Sequence, residues 1–302
     1  MILAGDIGGT KSLLALFAGE ARAPLFEKRL ASRECADFEA LVARFLEEAH
    51  AALGAAPRPE AACFGVAGPA EEARARLTHL PWTLEAASIC RRFGMAQVRL
   101  MNDFAAAAWG IDALEPADVE TLQAGEPLAG APRVVLGAGT GLGVAYAFFD
   151  GERYVPVAGE GGHAAFAPSN AQQAALWRNL YAHHGRVEME HVLSGPGLAR
   201  IHEFLGGTPC APEAVSGEAL DLFIACYGAA AGDHALNVLA RGGVYVAGGI
   251  ALRILPRLAA GGFVASFNDK GAFSEHARRM PVRAVRSERL GLLGAAHALL
   301  RA

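Results

Sequence analysis

The chain has 302 residues, of which 53% are hydrophobic and 19% are charged, and its formal net charge is −4. These values are typical of a globular chain that buries a sizeable core and is long enough for two modest domains. Arginine and lysine are scattered without a basic block, so nothing in the composition indicates nucleic-acid binding, and no stretch approaches the roughly 20 apolar residues of a membrane span.

The number and spacing of the cysteines indicate the cellular compartment of the protein. Their number is odd and no C-x-x-C spacing occurs, so we expect reduced, mostly buried thiols. The five are Cys35, Cys63, Cys90, Cys210 and Cys226. Asp6 also falls where a secretory leader would be apolar. The sequence therefore predicts a cytoplasmic protein.

Two segments, residues 2–17 and 134–149, repeat one pattern of an apolar run, a turn of glycine and threonine, and a second apolar run. The pattern is typical of a β-hairpin whose turn needs residues free to take a positive φ, and the N–H groups of such a turn bind anions. Two such turns suggest a polyphosphate held across a cleft between the two halves. Asp6 in the first copy is matched by Ala138 in the second, which indicates a cation, most often Mg²⁺, between this carboxylate and phosphate.

The remaining elements alternate between strands and helices. Apolar runs predict strands over 24–31, 61–67, 97–101 and 243–249. Helical spacing and caps predict helices over 37–53, from Thr83 to 93, over 104–109, from a Ser169–Gln172 capping box to 184, and over 197–205, 217–240 and 288–301. Residues 112–131, rich in proline, glycine and acids, are the expected crossing between domains. The order predicts an α/β architecture whose sheets are covered by helices.

Asn102 and Asp103 are the first candidate for chemistry. They follow a predicted strand, and residues at the carboxyl end of a strand in an open α/β sheet face the ligand crevice. An amide and a carboxylate there can hold a pair of hydroxyl groups, and the carboxylate can accept a proton, as the base does in phosphoryl transfer. On sequence alone, Asp103 is equally well explained as the N-cap of the following helix.

The segment Gly159-Glu-Gly-Gly-His163 is the second candidate. Glu160 and His163 lie on a loop of three glycines that can approach a ligand closely, and both side chains hydrogen-bond well to sugar hydroxyls. A dinucleotide-binding match in this loop lacks a preceding strand and a following helix, and no further His/Cys cluster supports zinc. Taken alone, Glu190 is an ordinary polar helix residue, and Gly248–Gly249 is a weak signal for a nucleotide packed on backbone.

The order of the motifs resembles the bacterial glucokinase family of the actin-like ATPase superfamily, which includes hexokinase and actin. The resemblance covers residues 2 to about 300, and its motifs are GDIGGT (5–10), ND (102–103), GAGTGLG (137–143), GEGGH (159–163), EHVLSGPG (190–197) and VAGG (246–249). It implies an α/β fold of two actin-like ATPase (ribonuclease H-like) domains around a central cleft. Residues 1–112 would form the small domain, 113–287 the large one, and a C-terminal helix, 288–302, would pack back on the first.

The resemblance also implies roles for residues. Asp103 would deprotonate the 6-hydroxyl of the sugar, and the other hydroxyls would be bound by Asn102, Glu160, His163 and Glu190. Asp6 would bind Mg²⁺ through water. ATP would contact Gly5, Asp6, Ile7, Gly8, Gly9, Thr10, Gly139, Thr140, Gly248 and Gly249.

Three departures from related proteins matter. The cysteine-rich zinc motif of a related branch is absent after His163, so we expect no zinc, and no helix-turn-helix segment precedes Met1, which argues against a DNA-binding repressor. His79, in THLPW (78–82), stands where the family usually has asparagine at the edge of the sugar site. Lys11 either adds charge beside the first phosphate turn or is a solvated surface residue.

The resemblance implies ATP-dependent phosphorylation of D-glucose at its 6-hydroxyl, the first step of glycolysis, in a cytoplasmic homodimer that binds no nucleic acid or membrane. Kinases for fructose, mannose or an N-acetylated hexosamine are the enzymatic alternatives. A non-catalytic sugar sensor and an actin-like filament or chaperone ATPase are the alternatives from other classes.

Overall fold

The computed structural model describes residues 1–19 and 23–300. The last two residues of the predicted C-terminal helix, 301 and 302, lie outside this part of the chain. Contacts divide the chain into two compact units. One consists of Met1–Glu115 and the segment that begins at Glu288, and the other of Pro116–Ser287.

The strands, in chain order, are β1 (Ile2–Ile7), β2 (Lys11–Phe17), β3 (Pro24–Ala31), β4 (Ala61–Val66), β5 (Ala70–Glu71), β6 (Arg74–Arg76), β7 (Thr83–Glu85), β8 (Gln97–Asn102), β9 (Val119–Gln123), β10 (Arg133–Ala138), β11 (Leu142–Phe149), β12 (Tyr154–Gly159), β13 (Gly243–Ala247) and β14 (Val282–Val285). The helices are α1 (Phe38–Leu53), α2 (Ala86–Phe93), α3 (Asp103–Gly110), α4 (Ala171–His184), α5 (Met189–Val192), α6 (Gly195–Phe204), α7 (Gly217–Val238), α8 (Gly248–Arg253), α9 (Leu255–Ala259), α10 (Gly262–Asn268), α11 (Ser274–Arg278) and α12 (Leu290–Leu300).

The main sheet of the first unit is covered on both faces. Its strand order is β3-β2-β1-β4-β8, with β1 antiparallel to β2 and parallel to β4, and β4 parallel to β8. Successive side chains of a strand point to opposite faces. Leu3 and Leu14 pack with residues of α1 on one face, and Ala4 and Ala15 pack with residues of α3 and α12 on the other. Burial of both faces explains why β1, β2 and β4 are nearly continuous apolar runs.

Helix α1 confirms the amphipathic helix predicted from residue 37. The Asp37 side chain accepts a hydrogen bond from the Ala40 N–H at 2.7 Å, and Gly54 ends the helix with a φ of 71°. These are the cap residues that a helix start and stop favour. The buried stripe consists of Phe38, Leu41, Val42, Phe45 and Ala49.

Helices α3 and α12 pack closely because glycine stands at their contact points. A Cβ atom on Gly294 would overlap the carbonyl oxygen of Ala106, and a Cβ atom on Gly110 would overlap the carbonyl oxygen of Leu290. Glycine permits this close approach of two backbones. The C-terminal helix is thereby fixed against α3, within the first unit.

The second unit is built on a mixed sheet with strand order β12-β11-β10-β13-β14-β9. Strands β10, β13 and β14 are parallel, and β10–β11, β11–β12 and β14–β9 pair antiparallel. Helix α7 packs against this sheet, and its Tyr227 hydroxyl accepts a hydrogen bond from the Ala138 N–H at 3.1 Å. Burial raises the pKa of Tyr227, so the side chain stays a neutral hydroxyl, and it serves as the hydrogen-bond acceptor for the last N–H group of β10.

The structure corrects two predicted helix starts. Thr83 lies in strand β7, and α2 begins after that strand. Helix α4 is capped by Asn170, whose side chain accepts a hydrogen bond from the Gln173 N–H at 2.9 Å. The predicted partner of Ser169 in the capping box, Gln172, is also wrong, because the Ser169 hydroxyl donates to the Gln173 side chain instead.

Strands β9, β12 and β14 of the second sheet were not predicted. Strand β9 lies inside the segment 112–131 that the sequence indicated as a crossing, and it joins the sheet edge beside β14. Strand β12 forms the other edge and leads into the segment with Glu160 and His163. The polar residues of β9, the proline within β12 and the four-residue length of β14 weaken the apolar pattern from which a strand is recognised.

We predict that Gly294→Ala destabilises the first unit by on the order of 2–3 kcal/mol, because its new methyl group would overlap the α3 backbone and the helices must move apart. The measurement is the midpoint of thermal unfolding. Gly262→Ala is the matched control, since a Cβ there meets only Ile224 Cγ2, at 3.8 Å, in a helix. Equal midpoints for the two variants would contradict the close packing of α3 on α12.

Candidate active site

The turn of the first hairpin, residues 8–10, is compact for a different reason from the one predicted. Neither Gly8 nor Gly9 has a positive φ, so the expectation of left-handed backbone is wrong. A Cβ on Gly8 would lie 2.7 Å from the Lys11 carbonyl oxygen, and one on Gly9 would lie 2.8 Å from His79 Cβ. Glycine is required here by close contact within the protein. The Ser32 hydroxyl donates to the Gly8 carbonyl at 2.7 Å and holds the turn.

The second turn, residues 139–141, also lacks a positive φ, and its glycines differ in their surroundings. A Cβ on Gly141 would overlap the Glu190 carboxylate, whereas a Cβ on Gly139 would meet nothing within 4 Å. The Glu190 Oε2 accepts a hydrogen bond from the Leu142 N–H at 2.8 Å. Glu190, which the residues alone did not single out, is therefore held against the second turn, while Gly139 leaves open space beside it.

Asp6 is the last but one residue of β1 and lies beside helix α12. A Cβ on Gly291 would lie 2.9 Å from the Asp6 Oδ2 atom, and within residues 1–19 and 23–300 neither carboxylate oxygen has a hydrogen-bond or ion-pair partner. Desolvation raises the pKa of Asp6 to about 6, against the lowering effect of the Arg29 charge. A cation would stabilise this desolvated carboxylate, and one carboxylate with water and phosphate oxygens is a common Mg²⁺ environment. Asp6 thus fits the predicted metal role.

Asn102 and Asp103 lie where β8 ends and α3 begins, and the structure decides which of them caps the helix. The Asn102 side-chain oxygen accepts hydrogen bonds from the Phe104 N–H at 2.9 Å and the Ala105 N–H at 3.2 Å. Asn102 is therefore the N-cap, and Asp103 is the first helical residue, with a 3.0 Å contact from the Phe104 N–H to its Oδ1. The capping explanation therefore applies to Asn102 and not to Asp103.

In the second unit, the residues that follow β12 gather three carboxylates around one imidazole. His163 Nδ1 is 2.8 Å from Glu188 Oε2, and His163 Nε2 is 4.0 Å from Glu160 Oε2. The hydrogen bond to Glu188 is the largest cause of a raised pKa of His163, and the charges of Glu190, Glu188 and Glu160 add to it. The His163 side chain is 53% exposed, so the ring can meet a ligand. Sequence reasoning missed Glu188, whose pairing with His163 depends on a long-range contact.

Two glycines of the 159–163 segment, Gly161 and Gly162, make close contacts within the protein. A Cβ on Gly161 would lie 2.8 Å from His234 Cε1, and one on Gly162 would overlap the Leu142 carbonyl oxygen. Packing within the protein therefore explains why glycine is needed at positions 161 and 162. Strand β12 does precede the segment, but a 3-10 turn, Gly161–His163, follows it instead of a helix, so the dinucleotide-binding match still fails.

His234 and Tyr146 lie beneath this segment. The Tyr146 hydroxyl is 2.8 Å from His234 Nδ1, and the 3%-exposed His234 leaves its Nε2 buried with no hydrogen-bond partner among the described residues. Burial lowers the pKa of His234, which keeps the ring neutral. A neutral, packed ring supports the backbone of Gly161 without adding charge to the site.

Gly248 and Gly249 open helix α8 after strand β13. Gly248 has a φ of 90°, and a Cβ there would lie 2.9 Å from the Ala138 carbonyl oxygen. A Cβ on Gly249 would meet nothing within 4 Å. Gly248 is needed for the backbone conformation, whereas Gly249 leaves space that a flat ligand can occupy.

Residues 1–19 and 23–300 contain neither a metal-binding cluster nor a membrane-spanning helix. No group of three or more His, Cys, Asp or Glu side chains there is arranged to hold a metal ion. In the same residues no helix combines the length and the apolar character that crossing a membrane requires.

Comparison with known proteins gives one consistent result. The family model described as Glucokinase matches residues 3–302. A glucokinase of Synechocystis sp. is 37% identical, over 97% of this chain and 96% of its own. Among solved structures, glucokinase from an Antarctic psychrotroph is 28% identical with a TM-score of 0.85, covering 100% of this chain and 99% of that chain. A ROK family glucokinase from Streptomyces griseus in complex with glucose and AMPPNP is 20% identical with a TM-score of 0.58, covers 98% of each chain and supports the fold alone.

These likenesses confirm the predicted fold class, that of the two-domain actin-like ATPases. They extend over nearly the whole length of each compared protein.

The raised pKa of Asp6 makes stability depend on pH. The folded protein holds this proton more tightly than the unfolded chain, so stability falls as pH rises from about 4 to about 6, and above that range ionised Asp6 costs on the order of 3 kcal/mol. We predict that Asp6→Asn unfolds at a higher temperature than the original chain above pH 6 and at the same temperature below pH 4. Thermal unfolding in EDTA without nucleotide measures this. A variant that is less stable at pH 7 would contradict the desolvation of Asp6.

Proposed function

This chain belongs to the glucokinase family, and from that premise we propose that it transfers the γ-phosphoryl group of ATP to the 6-hydroxyl of D-glucose, giving glucose 6-phosphate and ADP. The observation that supports this most directly is which residue caps helix α3. Asn102 is the N-cap of the helix, so Asp103, which follows β8 directly as the first helical residue, is not needed to cap it.

Asp103 is proposed as the catalytic base. Its carboxylate accepts the proton of the 6-hydroxyl as the hydroxyl oxygen bonds to the γ-phosphorus and the bond to the β,γ-bridging oxygen of ATP breaks. Positioning and charge neutralisation supply most of the rate in phosphoryl transfer, and the base orients the attacking oxygen. The Asn102 Nδ2 group, which also lies 3.4 Å from the Gly68 carbonyl oxygen, contributes a donor to a neighbouring hydroxyl.

Glu160, His163 and Glu190 are proposed to bind the other sugar hydroxyls. Ionised carboxylates only accept hydrogen bonds, whereas imidazole can donate, and a hydroxyl group does both. Glu160 is exposed, and Glu190 is anchored by the Leu142 N–H beside the second turn. A sugar that differs at one hydroxyl would leave one of these groups unpaired, which is how such a site discriminates.

ATP is proposed to lie on the backbone of the two turns and of α8. Gly139 and Gly249 support this, because a Cβ on either would occupy open space. Gly5, Asp6, Ile7, Gly8, Gly9 and Thr10 contribute from the first hairpin, and Thr140 and Gly248 from the second unit. Mg²⁺ would be held by Asp6 through water, and when bound it would neutralise phosphate charge. The Asp6 carboxylate, desolvated and without a hydrogen-bond partner among the described residues, supports that assignment.

Three further proposals concern the whole protein. The two compact units are proposed to be the small and large domains of the predicted fold. A cytoplasmic location is supported by the five cysteines, which are all free thiols. The homodimer implied by the resemblance stays a prediction, which sedimentation equilibrium would check.

The experiment that tests the function is ADP release from MgATP with and without each of several hexoses at equal concentration. A large rise with glucose supports the proposal. A rise with fructose, mannose or an N-acetylated hexosamine instead would keep phosphoryl transfer and replace the substrate. No rise with any sugar would contradict a kinase and favour a non-catalytic sensor.

For Asp103→Asn we predict a fall in kcat of about 10²–10⁴-fold with little change in glucose binding, because the side chain keeps its shape but no longer accepts the proton. Steady-state kinetics and calorimetric glucose binding measure the two effects. The matched control is Asp269→Asn, which removes the same charge from an exposed position. Turnover within tenfold of the original chain would contradict the base role.

A further inference from the structure

Glu188 is fixed beside His163 by backbone pairing. Residues 164–166 run antiparallel to 187–189: the Phe166 N–H donates to the Val187 carbonyl at 3.0 Å, and the Met189 N–H donates to the Ala164 carbonyl at 2.9 Å. The position of the Glu188 side chain next to the ring therefore follows from the main chain rather than from a flexible surface contact.

The Glu188 side chain is also held from the other side. Arg186 Nε lies 3.4 Å from Glu188 Oε1, which leaves Oε2 for the His163 ring at 2.8 Å. The Glu188 N–H donates to His191 Nδ1 at 3.2 Å. The carboxylate is 24% exposed, far less than the His163 ring that it contacts.

We propose that Glu188 is a positioning residue for the sugar: it accepts a hydrogen bond from His163 Nδ1–H, which turns Nε2 toward the substrate and favours the imidazolium form, whose Nε2–H donates to a sugar hydroxyl. This inference rests on the proposed function, in which His163 binds glucose. Glu188 itself need not touch the sugar.

This arrangement supplies a hydrogen-bond donor to a sugar hydroxyl, which the surrounding carboxylates cannot do. Three carboxylates surround the ring: Glu160 before the 3-10 turn, and Glu188 and Glu190 at α5. The Arg186 guanidinium also lies beside this segment and donates to the His163 carbonyl at 3.2 Å. Carboxylates supply only acceptors, so a hydroxyl bound by them alone would lack a donor for its oxygen. An imidazolium supplies that donor, and the hydrogen bond to Glu188 is the largest cause of the raised pKa of His163.

The experiment compares Glu188→Gln with the original chain. The amide has the shape of the carboxylate but lacks its charge, so the imidazolium loses its main stabilising partner. We expect the KM for glucose at pH 7.5 to rise by roughly tenfold, the loss expected for a charged hydrogen bond, with kcat and the KM for ATP within twofold. The KM for glucose should begin to rise with pH at a lower pH than in the original chain, because His163 deprotonates earlier.

NMR titration of the His163 ring provides the second readout, which a purely structural role would not move. Its pKa should fall in Glu188→Gln, and this can be measured without any substrate. In the background of His163→Ala, the Glu188→Gln change should have no further effect on the KM for glucose, because Glu188 acts through the ring.

Glu203→Gln is the control, since it removes an exposed charge of α6. An original chain that does not phosphorylate glucose would overturn the proposed function. An active chain whose Glu188→Gln variant keeps both the KM for glucose and the His163 titration would overturn this inference alone. A fall in kcat that equals the rise in KM, with an unchanged titration, would also overturn it.

Discussion

The parallel pairing of β1, β4 and β8 is the constraint on which the first half of the site depends. Its register aligns Asp6 with Gly65 and Met101, and the next residues along, Ile7 and Val66, with Asn102. The carboxyl ends of parallel strands meet at one edge of a sheet, where α/β proteins bind their ligands. Asp6, proposed to hold a cation, lies on β1, and Asp103, proposed as the base, follows β8 directly, so the two carboxylates lie on either side of the central strand β4.

Gly65 makes this alignment possible. A Cβ there would lie 2.8 Å from Ala106 Cβ and 3.5 Å from Asp103 Cα, so a larger residue would push the start of α3 away from the sheet. Helix α12 closes the same face, with Gly291 against Asp6, and desolvates that carboxylate. The raised pKa of Asp6 is thus a consequence of how the end of the chain returns to the first sheet, and it is the kind of local cost that functional sites carry.

Much of the fold was predictable from sequence because its signals are local. The two hairpins, helix α1 and strand β8 followed from apolar periodicity, glycine turns and caps, and the structure confirms them. Strand β9 was missed because its partner β14 lies far along the chain, whereas β12 pairs with the preceding β11 and was missed because Pro156 interrupts its apolar run. The reason for the turn glycines was also out of reach, since it lies in contacts with His79 and Glu190 and not in local backbone conformation.

The residues of the candidate site also divide into those with a local sequence signal and those that depend on contacts distant in sequence. Asp103 and Glu160 stood out from their neighbours in sequence, and the family resemblance added Glu190. No local signal distinguishes Glu188 from other polar residues, because its partner His163 is 25 positions away and is brought to it by backbone pairing. Which of Asn102 and Asp103 caps α3 likewise needed coordinates, as both residue types serve as caps.

Identification of the product by ³¹P NMR tests the central claim most directly, because it reports which oxygen atom receives the phosphoryl group. The protein is incubated with MgATP and D-glucose, and the phosphorus signals are followed with time. We predict that ATP is replaced by ADP and a glucose phosphate ester at the 6-position in equal amounts. Inorganic phosphate in place of the ester, or an ester at another hydroxyl, would contradict the assignment of Asp103 as the base for the 6-hydroxyl.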